Sequence, residues 1–219
     1  LWVLAASLLT MLTSFIVMAV NTYLFKDYFG NAASLSIIGL VQMASMFITV
    51  PLVKPLVAKF GKKEISVVGM AFASVIYIGL FFLKGITTMP FIAVVAIAMM
   101  SMSFYSFISY AFISDVIDYH EYLTSLREDA TVYSIVSMSR KIGQAVAGGI
   151  GGIAIAAVGY NATVGTQPQE VLDGIYMLGT LVPGILYGIV AVVLFLYPLN
   201  KQKTIQLSQD LAAKRKVNS

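Results

Sequence analysis

Cysteine is absent from these 219 residues, and histidine occurs once, at His120. No disulfide, thiolate metal site or multi-histidine metal centre can therefore be assembled from the chain. Charge is equally scarce: Asp, Glu, Lys and Arg make up 11% of the residues, against about 25% in an ordinary soluble domain. With 59% hydrophobic residues and a mean hydropathy of +0.88, the composition excludes a soluble globular domain. Few catalytic constellations are left, and the chain is expected not to be an enzyme. Nothing points to nucleic acid.

What remains is long apolar runs. Six of them stand out, roughly at 2–25, 33–57, 65–84, 89–117, 129–158 and 174–198. Each approaches the ~20 residues needed to cross a bilayer as a helix. The expected fold is an all-α polytopic membrane protein, with a six-helix transmembrane bundle over 1–198 and a basic tail over 199–219. Three helices before Lys84 and three after it would suit a three-plus-three inverted repeat, although the sequence itself shows no such symmetry. The opening Leu1-Trp-Val-Leu reads as the inside of a helix already under way, so the chain is expected to be the C-terminal part of something longer.

Positive charge is unevenly distributed. Lys54, Lys59, Lys62, Lys63, Arg127, Arg140, Lys141 and five tail cations fall on one side, which is 12 of the 14; only Lys26 and Lys84 fall on the other. The positive-inside rule puts the 58–64 loop, the segment after helix four and the C-terminus in the cytoplasm.

The scarce charges concentrate. Asp115, Asp118 and Glu121, spaced i, i+3, i+6, share one face at the end of the fourth helix. They read either as a solvated helix end or as a cytoplasmic gate that pairs with Arg127, Arg140 or a partner domain. Ser125-Leu-Arg-Glu128 has the spacing of a capping box opening the fifth helix. From Ser125, Lys141 would lie roughly 24 Å along the axis, near mid-bilayer and beyond the reach of snorkelling. Lys141 is therefore expected to face a water-filled cavity, with Gln144 on roughly the same side. Arg140 lies about 100° away around the helix and is expected to be a structural or gate partner.

Ser103, Tyr105, Ser106, Ser109 and Tyr110 place hydroxyls and rings midway along the fourth helix. Such groups serve either a sugar site or interhelical hydrogen bonds, and Asn21 and Gln42 carry the same two readings. Gly143, Ala147, Gly148 and Gly151 give small-xxx-small spacing for close helix packing.

Asp115-Val-Ile-Asp118-Tyr-x-Glu121-Tyr, Arg127, and Tyr133-Ser134 leading to Lys141-x-Gly143 resemble the glycoside–pentoside–hexuronide:cation symporter family of the major facilitator superfamily. Phe60-Gly61-Lys62-Lys63, Gly159-Tyr160 and Tyr197-Pro198-Leu199 add to the resemblance, which covers the C-terminal six-helix half of such carriers. It implies secondary active transport of a sugar or glycoside coupled to Na+ or H+ by alternating access. It also implies a location in the cell membrane, a bacterial origin, and an N-terminal six-helix half as partner. No cofactor is implied beyond the coupling ion, whose acids belong to that other half. The Asp115, Asp118 and Arg127 counterparts form a cytoplasmic charge network; the Lys141 counterpart lies in the central cavity. Lys141, Gln144, Ser137, Ser106, Tyr110 and Tyr105 are the substrate-binding candidates, and Asp115, Asp118, Glu121, Arg127 and Arg140 the gate candidates. Where melibiose-type members carry a sugar-stacking Trp, this chain has Ser106, which leaves Tyr105 or Tyr110 as the ring. The alternative is a truncated, non-transporting membrane module.

Overall fold

A backbone surrounded by hydrocarbon has to satisfy its own hydrogen bonds, and helices do so within one segment. In the computed structural model, which describes the backbone of residues 2–217 and side chains of 2–214, the described residues form helices joined by short turns, with no strand among them. The side chains of the tail cations Arg215 and Lys216 lie outside the described residues.

Helix α1 (Trp2–Tyr23) runs into a π-helical turn at Leu24–Tyr28. Thr10 and Thr13 on α1 donate their hydroxyls back to the carbonyls of Ala6 and Leu9, so neither is an orphan in the core. Helix α2 (Ser34–Phe60) continues through Pro51 and Pro55. It ends at Gly61, whose φ of 108° suits only glycine, and α3 (Lys62–Phe82) starts at the next residue. Helix α4 (Thr88–Thr124) is 37 residues long and carries the acidic motif well beyond the apolar run that predicts it. Helix α5 spans Asp129–Ala157.

The sixth apolar run is two helices, α6 (Gln169–Gly179) and α7 (Leu181–Phe195). The break falls at Thr180, whose hydroxyl donates to Tyr176 O, and Pro183 sits in the first turn of α7, where a missing N–H costs nothing. After Pro198 the expected polar tail is helical, as α8 (Lys201–Val217), with Leu207 and Leu211 buried.

Five segments are long and apolar enough to cross a membrane: Trp2–Tyr28, Ser34–Phe60, Lys62–Phe82, Thr88–Thr124 and Gln169–Phe195. Helix α5 takes the sixth place in the bundle at 29 residues, about 43 Å, but Arg140, Lys141 and Gln144 interrupt its apolar character.

The capping-box expectation is corrected. Ser125 does not open α5; it terminates α4 in the left-handed conformation, φ 59°, with its N–H donating to Glu121 O. Glu128 is the N-cap residue of α5, without a side-chain cap. Lys141 is therefore 12 residues into α5 from Asp129, about 18 Å along the axis rather than 24 Å.

The helices pack as an arc in the order α5–α1–α7–α3–α4–α2. Exchanging α1 with α4, α2 with α5 and α3 with α7 returns the same set of principal neighbours. That pairing is what an inverted three-plus-three repeat produces, since α1 and α4 run in opposite directions. The core fills the α1–α7–α3–α4 side: the Tyr77 and Tyr187 rings pack tilted by 48° with centroids 5.6 Å apart, and Ser74 donates to Gly184 O where α3 and α7 touch. Helices α2 and α5 close the two ends of the arc, and α2 is the least buried of the five apolar spans.

Candidate functional site

Between the arms of the arc, α4 presents Ser106, Tyr110 and Ser114 as an exposed stripe, one residue per turn. Tyr105 lies on another side of the helix, 3% exposed and packed near Ser7 and Thr10 of α1. It is therefore turned away from the opening that Ser106 and Tyr110 face.

Ser106 lines a pocket of about 530 Å3. Ser14 and Asn21 of α1, Gln42 of α2 and Ser103 of α4 supply its polar atoms, and Tyr77 and Tyr187 its deep aromatic wall. Asn21 and Gln42, singled out separately in the sequence, thus meet Ser106 in one cavity. The separation of 85 residues between Asn21 and Ser106 hides this from any local pattern. Amide and hydroxyl groups beside flat rings can bind a polyhydroxylated ring: hydrogen bonds reach its hydroxyls and an aromatic face meets its C–H surface.

Helix α5 packs on α1 through Gly143, Ala147, Gly151 and Ile155, all buried. A Cβ at Gly143 would stand 3.1 Å from Leu8 O, and one at Gly151 only 2.7 Å from the Ala19 Cβ. With that face committed, Lys141 and Ser137 are left exposed and line, with Ser134, a shallow pocket of about 450 Å3. Among the described residues, Lys141 has no carboxylate within ion-pair distance. Gln144 is exposed, its amide 3.9 Å from the Met11 sulfur on α1, and does not line the Lys141 pocket.

Arg140 points the other way. Its Nη1 donates to the Tyr110 hydroxyl and its Nη2 to Ser109 Oγ, both at 3.1 Å, and the guanidinium lies 4.9 Å from the Tyr110 ring centroid. Its Nε is buried with no partner. The structure thus sets Arg140 as a tie between α5 and α4, separate from the carboxylates of the acidic motif.

That motif itself divides. Arg127 gathers Asp118 Oδ1 at 3.1 Å, Glu121 Oε2 at 2.9 Å and both oxygens of Asp129 at 2.8–2.9 Å, in an exposed cluster. Hydrogen bonds to Glu121 first, then Asp129 and Asp118, raise the Arg127 pKa above its ordinary value. Asp115 stands apart, one face inward, with its side chain 7% exposed and paired at 2.6 Å to Lys62 of α3. Sequence reading missed two partners here. They are Asp129, two residues from Arg127 across the turn into α5, and Lys62, which is 53 positions from Asp115 with nothing local to link them. Among the described residues no three His, Asp or Glu side chains converge as metal ligands.

The profile of the family described as MFS/sugar transport protein matches residues 1–201. A symporter of Bacillus subtilis (strain 168), YjmB, described as uncharacterized, is 30% identical over 213 residues, covering 94% of this chain and 46% of its own length. A putative sulfoquinovose importer of Salmonella typhimurium is 31% identical, covering 98% of this chain and 45% of its own length. The glucuronide carrier protein homolog of Escherichia coli K12 is 29% identical over 96% of this chain and 46% of its length. The chain spans about half the length of the curated relatives it matches.

Proposed function

The chain belongs to the MFS/sugar transport protein family, and from that membership we propose that it is the C-terminal six-helix half of a sugar or glycoside carrier. In this reading the carrier works by alternating access, with Na+ or H+ flow as the driving force. The other half supplies the facing wall of the cavity and the acids that couple the ion. The bundle sits in a cell membrane with Lys62, Lys63 and the C-terminus in the cytoplasm, as the lysine and arginine distribution favours.

The observation that carries this reading is Lys141, an exposed cation near the middle of a membrane-length helix with no counter-ion among the described residues. A lone charge at that depth costs several kcal/mol unless it meets water or an opposite charge. A water-filled cavity between two halves provides the first, and a substrate carboxylate or sulfonate the second. Glucuronides and sulfoquinovose, for which two relatives are named, carry such groups, which supports an acidic sugar among the substrates. Ser137 stands beside Lys141, while Ser106, Tyr110, Asn21 and Gln42 offer hydroxyl and amide partners to the sugar ring.

Arg127 with Asp118, Glu121 and Asp129 would make the gate on the cytoplasmic face, and the Lys62–Asp115 pair would brace α3 to α4 behind it. Exposed ion pairs are worth only about 0–1 kcal/mol each, so a cluster of this kind can open and reclose at low cost.

The test is uptake by the complete carrier in proteoliposomes, using glucuronides, pentosides, neutral glycosides and sulfosugars under an imposed sodium or proton gradient. Gradient-dependent accumulation of any of them supports the reading. Failure to accumulate any substrate class under either gradient overturns it.

A further inference from the structure

Helices α4 and α5 each carry candidate substrate groups: Ser106 and Tyr110 on α4, Ser137 and Lys141 on α5. Arg140, next in the chain to Lys141, joins the two sets. Its Nη1 donates to the Tyr110 hydroxyl and its Nη2 to Ser109 Oγ, both at 3.1 Å. Ser109, only 4% exposed, donates its own hydroxyl to Ser106 O at 2.8 Å. With one hydrogen bond accepted and its single proton given away, Ser109 is committed to this run of bonds and acts as a fixed anchor.

That an arginine makes this tie is informative. Among the described residues no carboxylate lies within ion-pair distance of it, so the guanidinium does not serve to close a salt bridge. A cation within a membrane helix is costly unless it meets water, and a neutral amide would tie two helices without that cost. What the guanidinium adds is a rigid planar fork that reaches two acceptors and packs on an aromatic face. Here it does both: the acceptors belong to successive residues, Ser109 and Tyr110, and its central carbon stands over the Tyr110 ring, 4.9 Å from the centroid. The cost tolerated in exchange includes a buried Nε with no partner.

Tyr110 is the beneficiary. At 56% exposed it would be free to change rotamer, but its hydroxyl is held by Nη1 and its ring is packed by the guanidinium. More than half of the residue stays open beside Ser106, one turn away on the same stripe. Because the phenol oxygen accepts from Arg140, its own proton is left to donate.

We infer that Arg140 is a positioning residue of the sugar site. It holds Tyr110 as a preset platform, offering ring surface to the C–H face of a sugar and a hydroxyl proton to one of its oxygens. The inference rests on the carrier reading above and adds to it the residue that orients the α4 side of the site. A side chain fixed before binding loses less freedom when the sugar arrives, which is worth about twofold to tenfold in affinity.

The experiment uses the complete carrier, with methyl β-D-glucuronide, methyl β-D-xyloside, methyl β-D-glucoside and sulfoquinovose as probes. Gradient-driven uptake by the wild type comes first; accumulation of none of the four removes the carrier reading, and this inference with it. For each accumulated probe, equilibrium affinity is compared across Arg140→Gln, Tyr110→Ala and the double variant. Tyr110→Ala should weaken affinity at least about tenfold and Arg140→Gln about threefold to tenfold. In the Tyr110→Ala background Arg140→Gln should add less than about twofold, because it acts through that ring. Ser109→Ala withdraws the buried anchor, leaves Arg140 and Tyr110 in the chain, and should weaken affinity about twofold or more. An affinity unmoved by Arg140→Gln, or by Ser109→Ala where Arg140→Gln does not fold, overturns the positioning role alone. So does an Arg140→Gln loss of full size in the Tyr110→Ala background, which would mark a direct contact or a purely structural tie.

Discussion

Replacing Asp115 with Asn removes the one carboxylate that faces Lys62 at 2.6 Å, where the acid side chain is 7% exposed and the lysine 29%. Breaking a fully buried ion pair from one side costs about 3–5 kcal/mol, because the remaining charge stays desolvated. Here the lysine reaches water over part of its surface, which brings the expected loss down to about 2–3 kcal/mol. Lys62→Gln removes the other partner and leaves a sheltered carboxylate. The double variant carries two neutral amides and should recover part of the loss. A double-mutant cycle on the purified carrier, followed by denaturant unfolding in detergent, should give a coupling of about 1.5–3 kcal/mol. Asp118→Asn, in the exposed Arg127 cluster, serves as the comparison and should cost about 0–1 kcal/mol. A coupling below about 0.5 kcal/mol, or an Asp115→Asn loss no larger than that of Asp118→Asn, would refute the assignment of a sheltered brace between α3 and α4.

Gly151→Leu should force α5 away from Ala19 of α1 and lower stability by about 1–3 kcal/mol, measured by unfolding in detergent. Gly148→Leu, which meets open space, should be near neutral, and equal losses would contradict the seam. Ser125→Gly should raise stability by up to about 1 kcal/mol, since glycine adopts φ 59° without strain; a loss above that size would show that the serine hydroxyl matters more than its backbone. Arg127→Gln releases three carboxylates at once and should slow turnover several-fold while sugar affinity, read by equilibrium binding, changes little. Parallel loss of both would argue against a gate.

Much of the helical architecture could be read from the chain before any coordinates, because membrane helices announce themselves by length and apolarity. What the sequence could not convey is anything decided by packing between distant segments. The S-x-x-E pattern at Ser125 is a local signal, whereas the chain there ends α4 at a left-handed Ser125 and gathers Asp118, Glu121 and Asp129 around Arg127. Tyr105 and Tyr110 looked equivalent as ring candidates; a rotation of five residues around α4 buries the first against α1 and exposes the second. Arg140 and Lys141 were separable by their 100° offset, yet the partners of Arg140 follow only from how α5 crosses α4. The pocket that gathers Asn21, Gln42 and Ser106 draws on three helices and has no signature in any one of them.

The most direct test of the account concerns Lys141. In proteoliposomes holding the complete carrier, Lys141→Ala should abolish gradient-driven accumulation of a sugar that the wild type concentrates, while the variant inserts and unfolds as the wild type does. Accumulation at wild-type level would contradict the central claim, because an exposed cation midway along α5 would then have no part in the substrate cavity.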